Sequence, residues 1–152
     1  MRGHIVFDCD GTLVNTSDFR YVLYPGIKEL LLDLAPDYAL YVWTARDRLS
    51  TLRILKELGV LELFENLCTV DDALPKPHLS GLAQLVGTSP KSQICVVGDT
   101  SNDILGARSF GVKSIGAGWN QELRVGILQE LGVDFIAQTP ALCGEWLRQH
   151  IP

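Results

Sequence analysis

The chain has 152 residues, of which 47% are hydrophobic and 20% charged, and its formal net charge is −5. This length and composition fit one globular domain with its own core and exclude a low-complexity chain. The acidic balance disfavours a nucleic-acid backbone as the main partner. Because no apolar run approaches the length of a bilayer span and the N-terminus turns acidic too early for a signal peptide, we expect a cytoplasmic protein without a membrane partner.

Short apolar runs alternate with helical patterns along the sequence. Strands are predicted at residues 4–9, 39–45, 66–71, 93–99, 112–118 and 134–138. Helices are predicted at residues 26–34, 47–58, 79–86, 101–110, 121–131 and 141–150, with Pro25 before the first and a glycine just after four of the others. This alternation predicts βαβ units in one α/β domain spanning residues 1–152, with a doubly wound, Rossmann-like and mostly parallel sheet covered by helices on both faces.

Residues 12–24 break the alternation. The segment is too long for a tight turn between a strand and a helix, and its composition is too mixed for either element. We therefore predict a small hairpin or flap over the end of the first strand.

The four cysteines show no pairing motif and no spacing typical of a metal site. They are Cys9, Cys68, Cys95 and Cys143. We interpret them as reduced thiols that pack in the core. Cys9 stands between two acids, but the alternation of side chains along a strand should point it away from both.

Polar residues follow the predicted strands at their carboxyl ends, which is the edge where α/β sheets bind ligands. The sequence at this edge reads Asp8-Cys9-Asp10-Gly11-Thr12 after the first strand, Thr44-Ala45-Arg46 after the second, Pro75-Lys76-Pro77 in the loop after the third, and Asp99 to Asp103 after the fourth. Four carboxylates, a hydroxyl group and an amine are thus expected to converge.

Clustered carboxylates repel unless they share protons or hold a hard cation, and magnesium fits a donor set made only of oxygens. A metal-held carboxylate next to a lysine and a hydroxyl can accept a phosphoryl group as an aspartyl-phosphate. A second acid nearby would protonate the leaving oxygen and later activate water. Lys76 would offset charge on the phosphoryl oxygens, and Thr44 with the backbone N–H groups that follow it, beginning at Ala45, would hold them.

Each of these residues also has a purely structural interpretation. The acids can cap helices or stand in loops, Lys76 can be a solvated lysine, and Thr44 can be the N-cap of the helix that begins near Asp47. Asp99 and Asp103 can be loop and first-turn acids favoured by the helix dipole. All of these interpretations would have to coincide, each at the end of a strand.

With these motifs in place, the sequence resembles the haloacid dehalogenase-like hydrolases, most of which are magnesium-dependent phosphatases. The resemblance rests on "FDCDGTLVN", "VWTAR", "PKP" and "VVGDTSNDILGARSFGV", and the core is similar to that of phosphoglycolate phosphatases. It implies that Asp8 is the nucleophile, Asp10 the general acid and base, Thr44 and Lys76 the phosphate-binding pair, and Asp103 a supporting acid. It also implies magnesium ligands at Asp8, at Asp99 and at the backbone carbonyl of Asp10.

The sequence departs from the common family pattern because it leaves no room for a cap domain. Asp8 and Thr44 are only 36 positions apart, and one helix and one strand fill the stretch from Thr44 to Lys76. A site without a cap is open to solvent. We expect a phosphorylated small molecule as the substrate, while a phosphoprotein, and a homo-oligomer in which a neighbouring subunit covers the site, stay open.

The function expected from the sequence is hydrolysis of a phosphate monoester by a magnesium-dependent phosphatase. The alternatives are a phosphotransferase or nucleotidase with the same chemistry, and a non-catalytic binding or regulatory module. Candidates for substrate contacts are Arg20, Arg46 and Trp119, each with a structural alternative: solvated or structural arginines, and a tryptophan packed under a loop.

Overall fold

Strands and helices alternate through residues 2–17 and 20–152, the part of the chain that this computed structural model describes. The strands are β1 (Gly3–Phe7), β2 (Val14–Asn15), β3 (Val22–Leu23), β4 (Tyr38–Trp43), β5 (Asn66–Cys68), β6 (Ile94–Gly98), β7 (Lys113–Ala117) and β8 (Phe135–Ala137). The helices are α1 (Ile27–Leu34), α2 (Arg48–Glu57), α3 (Ser80–Val86), α4 (Ser101–Phe110), α5 (Val125–Glu130) and α6 (Pro140–His150), with short 3-10 turns at Leu61–Leu63 and Lys91–Gln93.

Six of the strands form one parallel sheet in the order β5–β4–β1–β6–β7–β8. The strand order reverses direction next to β1, which pairs with β4 on one side and β6 on the other. Phe7 lies level with Val42 and Val97, so the residues that follow these three strands emerge together. The predicted doubly wound parallel sheet is confirmed, and its switch point is where ligands bind in this class of fold.

Two hydrophobic cores lie on opposite faces of the sheet, because successive side chains of a strand point to opposite sides. Ile5 and Phe7 belong to the core that packs under α1, α2 and α6, whereas Val6 belongs to the core under α3 and α4. Cys9 packs in the same core as Phe7, as the alternation of side chains along the strand predicted. All four cysteines are buried free thiols.

Two predicted elements differ by three or more residues at one end from what the sequence pattern indicated, and the others by one or two residues at most. The strand predicted at 66–71 stops at Cys68, because Thr69 turns the chain by donating its N–H and its hydroxyl to the Asp72 carboxylate at 2.8 and 2.7 Å. The helix predicted at 121–131 begins only at Val125. Before it, the Asn120 side chain accepts the Glu122 N–H at 2.9 Å, and such side-chain bonds compete with helix formation.

The segment over the end of β1 contains a small antiparallel pair. Val14 pairs with Leu23 and Asn15 with Val22. Within residues 12–24, Asp18 and Phe19 lie outside the described residues, so the predicted flap is described only on either side of them. Among the helices of the described part of the chain, none is long and apolar enough to cross a membrane.

Candidate active site

A cavity of about 220 Å³ opens at the carboxyl ends of β1, β4 and β6. We call it the central cavity, and its lining consists of Asp8, Asp10, Thr44, Ala45, Lys76, Thr100 and Asn102. The structure thus brings together the five residues that the sequence predicted for nucleophilic, proton-transfer and phosphate-binding roles. Thr100 and Asn102 lie in the quoted motif but were given no role.

Asp8 is fixed by the end of the sheet. Its backbone N–H donates to Val97 at 2.9 Å, which continues the pairing of β1 with β6. Its carboxylate accepts the Cys9 N–H at 2.8 Å, and the residue is only 7% exposed. A rigid strand therefore presents this carboxylate to the cavity.

Lys76 is a buried cation that joins two of the acids. Its Nζ lies 2.9 Å from Asp8 Oδ1 and 2.6 Å from Asp103 Oδ1, and its side chain is 5% exposed. The ammonium group also lies 5.2 Å from the ring centre of Trp43, within cation–π range. The interpretation of Lys76 as a solvated lysine is therefore wrong.

Asp103 holds this lysine while it caps α4. Its Oδ2 accepts the N–H groups of Asp99 and Thr100 at 3.1 and 3.0 Å and the Thr100 hydroxyl at 2.9 Å. Thr100 in turn accepts the Asp103 N–H, which completes a capping box. Both oxygens of Asp103 are thus engaged, so its position supports the role of a residue that orients its neighbours.

Three carboxylates lie close enough to hold one cation. Oxygens of Asp8, Asp99 and Asp103 are all within 4.8 Å of one another. Every donor in the set is an oxygen, which suits magnesium better than a softer metal. Since Asp103 is occupied by Lys76 and the capping box, Asp8 and Asp99 are the side chains that fit a metal.

The charge balance of the cluster also favours a cation. Burial raises the pKa of Asp8 well above its usual range, and the charge of Asp103 raises it further, although Lys76 opposes both. Burial likewise raises the pKa of Asp99. For Lys76, burial alone would lower the pKa, but the carboxylates of Asp103 and Asp8 outweigh it and raise the pKa. Lys76 thus pairs with two of the three carboxylates, so a further cation would favour the ionised forms of these acids.

The Asp10 carboxylate pairs with a different cation, the guanidinium group of Arg46. Arg46 grips its carboxylate with Nε at 3.0 and 3.2 Å and with Nη2 at 3.0 Å. The ring of Tyr21, from the segment between β2 and β3, lies 5.3 Å from the Arg46 guanidinium carbon. Arg46 was predicted as a candidate substrate contact, and the structure places it on the predicted acid and base.

Thr44 and Ala45 form the wall between β4 and α2. Thr44 is buried, and its hydroxyl accepts the Arg46 N–H at 3.1 Å. The N-cap of α2 is Asp47, whose carboxylate accepts the Ser50 N–H at 2.9 Å. The alternative interpretation of Thr44 as that N-cap is therefore wrong.

A tight turn after Asp10 brings Asp99 to the first strand. Gly11 has a φ of +83°, and a Cβ there would lie 2.7 Å from Asp99 Cγ, so both conformation and space require glycine. Thr12 donates its hydroxyl to Asp99 at 3.1 Å, and Asn120 donates to the Gly11 carbonyl at 3.0 Å. Sequence reasoning placed Asn120 only among residues that could contact the leaving group and missed this bond, because no local pattern marks a bond that spans more than 100 residues.

The two other candidate substrate contacts lie away from the central cavity. Trp119 donates its indole N–H to the Thr12 carbonyl at 2.9 Å and packs against the core. Arg20 is exposed between β2 and β3, and it does not line the central cavity. These positions support packing as one role of Trp119.

Comparison with known proteins agrees with this geometry. Residues 19–117 match the sequence model of the haloacid dehalogenase-like hydrolases. The chain belongs to the haloacid dehalogenase-like hydrolase family. Among its relatives, a phosphoglycolate phosphatase from Agrobacterium fabrum is 35% identical over 127 residues, which are 78% of this chain and 54% of the relative.

Two other proteins are similar to this chain over different extents. The pyrophosphatase PpaX from Halalkalibacterium halodurans is 30% identical over 63% of this chain and 46% of its own length. A haloacid dehalogenase-like hydrolase from Streptococcus pneumoniae shares the fold with a TM-score of 0.81, at 21% identity, over 96% of this chain and 98% of its own. This chain spans about half the length of the curated relatives it matches.

Proposed function

We propose that this protein is a magnesium-dependent phosphatase that hydrolyses a phosphate monoester of a small molecule through an aspartyl-phosphate at Asp8. The observation that carries the proposal is the buried ammonium group of Lys76 at the carboxyl end of β1. It lies 2.9 Å from Asp8 and 2.6 Å from Asp103. A cavity of about 220 Å³ is smaller than ordinary ligand pockets of roughly 300 to 1,000 Å³, so it suits a phosphoryl group rather than a whole substrate.

In the first step, a carboxylate oxygen of Asp8 attacks phosphorus and the bond from phosphorus to the leaving oxygen breaks. Lys76, Thr44 and the backbone N–H groups after Thr44 stabilise the charge on the phosphoryl oxygens. Asp10 gives a proton to the leaving oxygen. In the second step, Asp10 takes a proton from water, which attacks phosphorus and releases inorganic phosphate and Asp8.

Asp8, Asp99 and the backbone carbonyl of Asp10 are the proposed ligands of the metal. Magnesium bound there supplies positive charge that offsets the carboxylates and the phosphoryl oxygens. The clustering of three carboxylates, with Asp8 and Asp103 buried and Asp99 half-buried, around the single ammonium group of Lys76 supports this proposal.

The direct experiment is an assay of phosphate release from 4-nitrophenyl phosphate and a panel of phosphorylated metabolites, with magnesium and with a chelator. We expect hydrolysis that the chelator abolishes and added magnesium restores. Equal rates with and without chelator would contradict the metal dependence. Transfer of the phosphoryl group to an added alcohol at a rate above its release to water would favour the phosphotransferase alternative.

Arg46 is proposed to position Asp10 for proton transfer, because it grips both oxygens of that carboxylate. We expect Arg46→Ala to lower kcat about tenfold for alkyl phosphates, whose alkoxide leaving groups need a proton, and much less for 4-nitrophenyl phosphate, whose leaving group does not. Steady-state kinetics on both ester classes measure the difference.

The matched control is Arg48→Ala, since Arg48 pairs at 2.8 Å with Asp72, outside the cavity. It should leave the ratio of alkyl to aryl rates unchanged. If Arg46→Ala instead raises KM equally for both classes, Arg46 binds substrate and does not act through Asp10.

The proposed setting of this activity is the cytoplasm. Four buried thiols suit a reducing compartment. Burial raises the pKa of Cys143 to about 12, which keeps this thiol protonated and unreactive.

A further inference from the structure

The central cavity continues into a second space beside the flap. A middle cavity shares Asp10 and Thr100 with the central cavity, and it shares Ser17, Tyr24, Asn120 and Glu122 with an outer cavity of about 380 Å³. We call the outer cavity the side trench, and its lining consists of Asn15, Ser17, Tyr24, Pro25, Trp119, Asn120, Gln121 and Glu122. The middle cavity thus connects Asp10, which would protonate a leaving oxygen, with the side trench.

The side trench has the chemistry of a site for hydroxyl groups. Two aromatic side chains, Tyr24 and Trp119, line it together with amide and hydroxyl side chains. Asn15 accepts the N–H and the hydroxyl of Ser17 at 3.1 and 2.7 Å, which leaves its amide N–H groups to donate. Such groups both donate and accept, as the hydroxyls of a polyol require.

The charge in the side trench is negative. Glu122 is its one ionisable acid, and the described residues that line it include no lysine or arginine. The nearest acid at its inner end is Asp99, in the middle cavity. Burial, with the carboxylates of Asp99 and Glu122 nearby, raises the pKa of Tyr24, so its phenol stays a neutral hydrogen-bond donor.

We propose that the side trench binds the leaving group of the substrate and selects an uncharged, hydroxyl-rich one, such as a sugar alcohol or sugar, with Glu122 excluding anionic leaving groups. The inference rests on the proposed function and names its substrate class. A carboxylate in the trench would face Glu122, and the described residues that line the trench include no lysine or arginine to compensate its charge, whereas a hydroxyl group can donate to Glu122.

The test compares substrates that differ at one end. Sorbitol 6-phosphate and 6-phosphogluconate share six carbons in an open chain, but one ends in a hydroxymethyl group and the other in a carboxylate. We expect kcat/KM to favour sorbitol 6-phosphate about tenfold, the size of one screened charge repulsion. Hexyl phosphate, which has no hydroxyl groups, should also be about tenfold poorer.

Charge reversal at Glu122 tests the residue itself. In Glu122→Lys, the preference for sorbitol 6-phosphate over 6-phosphogluconate should fall about tenfold or reverse. The control is Glu57→Lys, which makes the same change of charge at the exposed end of α2, about 15 Å along the helix from its site end. It should keep the wild-type ratio.

Several results would overturn the inference. They are equal rates for the two sugar derivatives, a preference for 6-phosphogluconate or for the cationic ester phosphocholine, and an unchanged ratio in Glu122→Lys. If no ester at all is hydrolysed, 4-nitrophenyl phosphate included, the proposed function fails by itself. Calorimetric dissociation constants of the same two sugar derivatives then decide the inference, with the same expected ratio.

Discussion

Asparagine in place of Asp8 is expected to lower phosphate release by about 10³-fold or more, because the proposed nucleophile is lost while the rest of the site is kept. The same substitution should not lower the thermal stability of the metal-free protein. Burial and Asp103 raise the pKa of Asp8, which means that its ionised form is less favourable in the folded than in the unfolded chain. At neutral pH an uncharged asparagine removes that cost, and Lys76 keeps Asp103 as a partner at 2.6 Å.

Activity and stability measured together therefore separate chemistry from folding. The control is Asp71→Asn, since Asp71 is an exposed acid that accepts the Arg48 N–H at 2.9 Å outside the central cavity. It should keep wild-type activity. Wild-type turnover in Asp8→Asn would exclude the aspartyl-phosphate, and loss of turnover with a large fall in melting temperature would mean that Asp8 is needed for folding.

Beryllium fluoride with magnesium gives a second readout of the same residue. As a mimic of a phosphoryl group on a carboxylate, it should raise the melting temperature of the wild type, because a ligand that binds only the folded state stabilises it. The rise should be absent in Asp8→Asn.

The arrangement of the sheet was predictable because its signals are local. Near-continuous apolar runs separated by helical periods require buried parallel strands, and all six predicted strands are present. Parallel strands share a carboxyl edge, so Asp8, Thr44 and Asp99 had to meet there once the order of strands was known. The position of Lys76 at this edge was predictable because it stands in the loop after β5, although no local sequence pattern could show that its side chain is buried.

The contacts that the sequence missed depend on side-chain geometry between distant segments. Arg46 and Asp10 follow strands β4 and β1, and whether they pair or face a substrate depends on rotamers rather than on spacing. The same holds for Asn120, whose bonds to Gly11 and to Asp99 join the loop after β7 to the turn after β1. The side trench likewise depends on distant segments, since its lining comes from residues 15–25 and from the loop after β7.

Substitution of Lys76 by methionine is expected to destabilise the protein by about 3 to 5 kcal/mol, because it leaves buried carboxylates without their cation. Methionine keeps most of the side-chain volume, so the loss is one of charge rather than of packing. Denaturant unfolding in the presence of chelator measures the effect, and activity should fall as well. The surface control Lys28→Met, at an exposed position of α1, should change stability by less than about 0.5 kcal/mol.

The origin of this loss can be tested by removing the charge that Lys76 balances. In the double variant with Asp8→Asn, one buried carboxylate is gone, so the double variant should be more stable than Lys76→Met alone. The cycle gives the coupling energy of the pair.

The stability loss of Lys76→Met should depend on pH with a definite sign. Without Lys76 the folded-state pKa of Asp8, which burial already raises, rises further above its unfolded value, so the cost is greatest at neutral pH and shrinks as pH falls toward about 4. A deficit that stays constant over that range would show that Lys76 stabilises the fold through packing on Trp43, and that the acids do not depend on its charge.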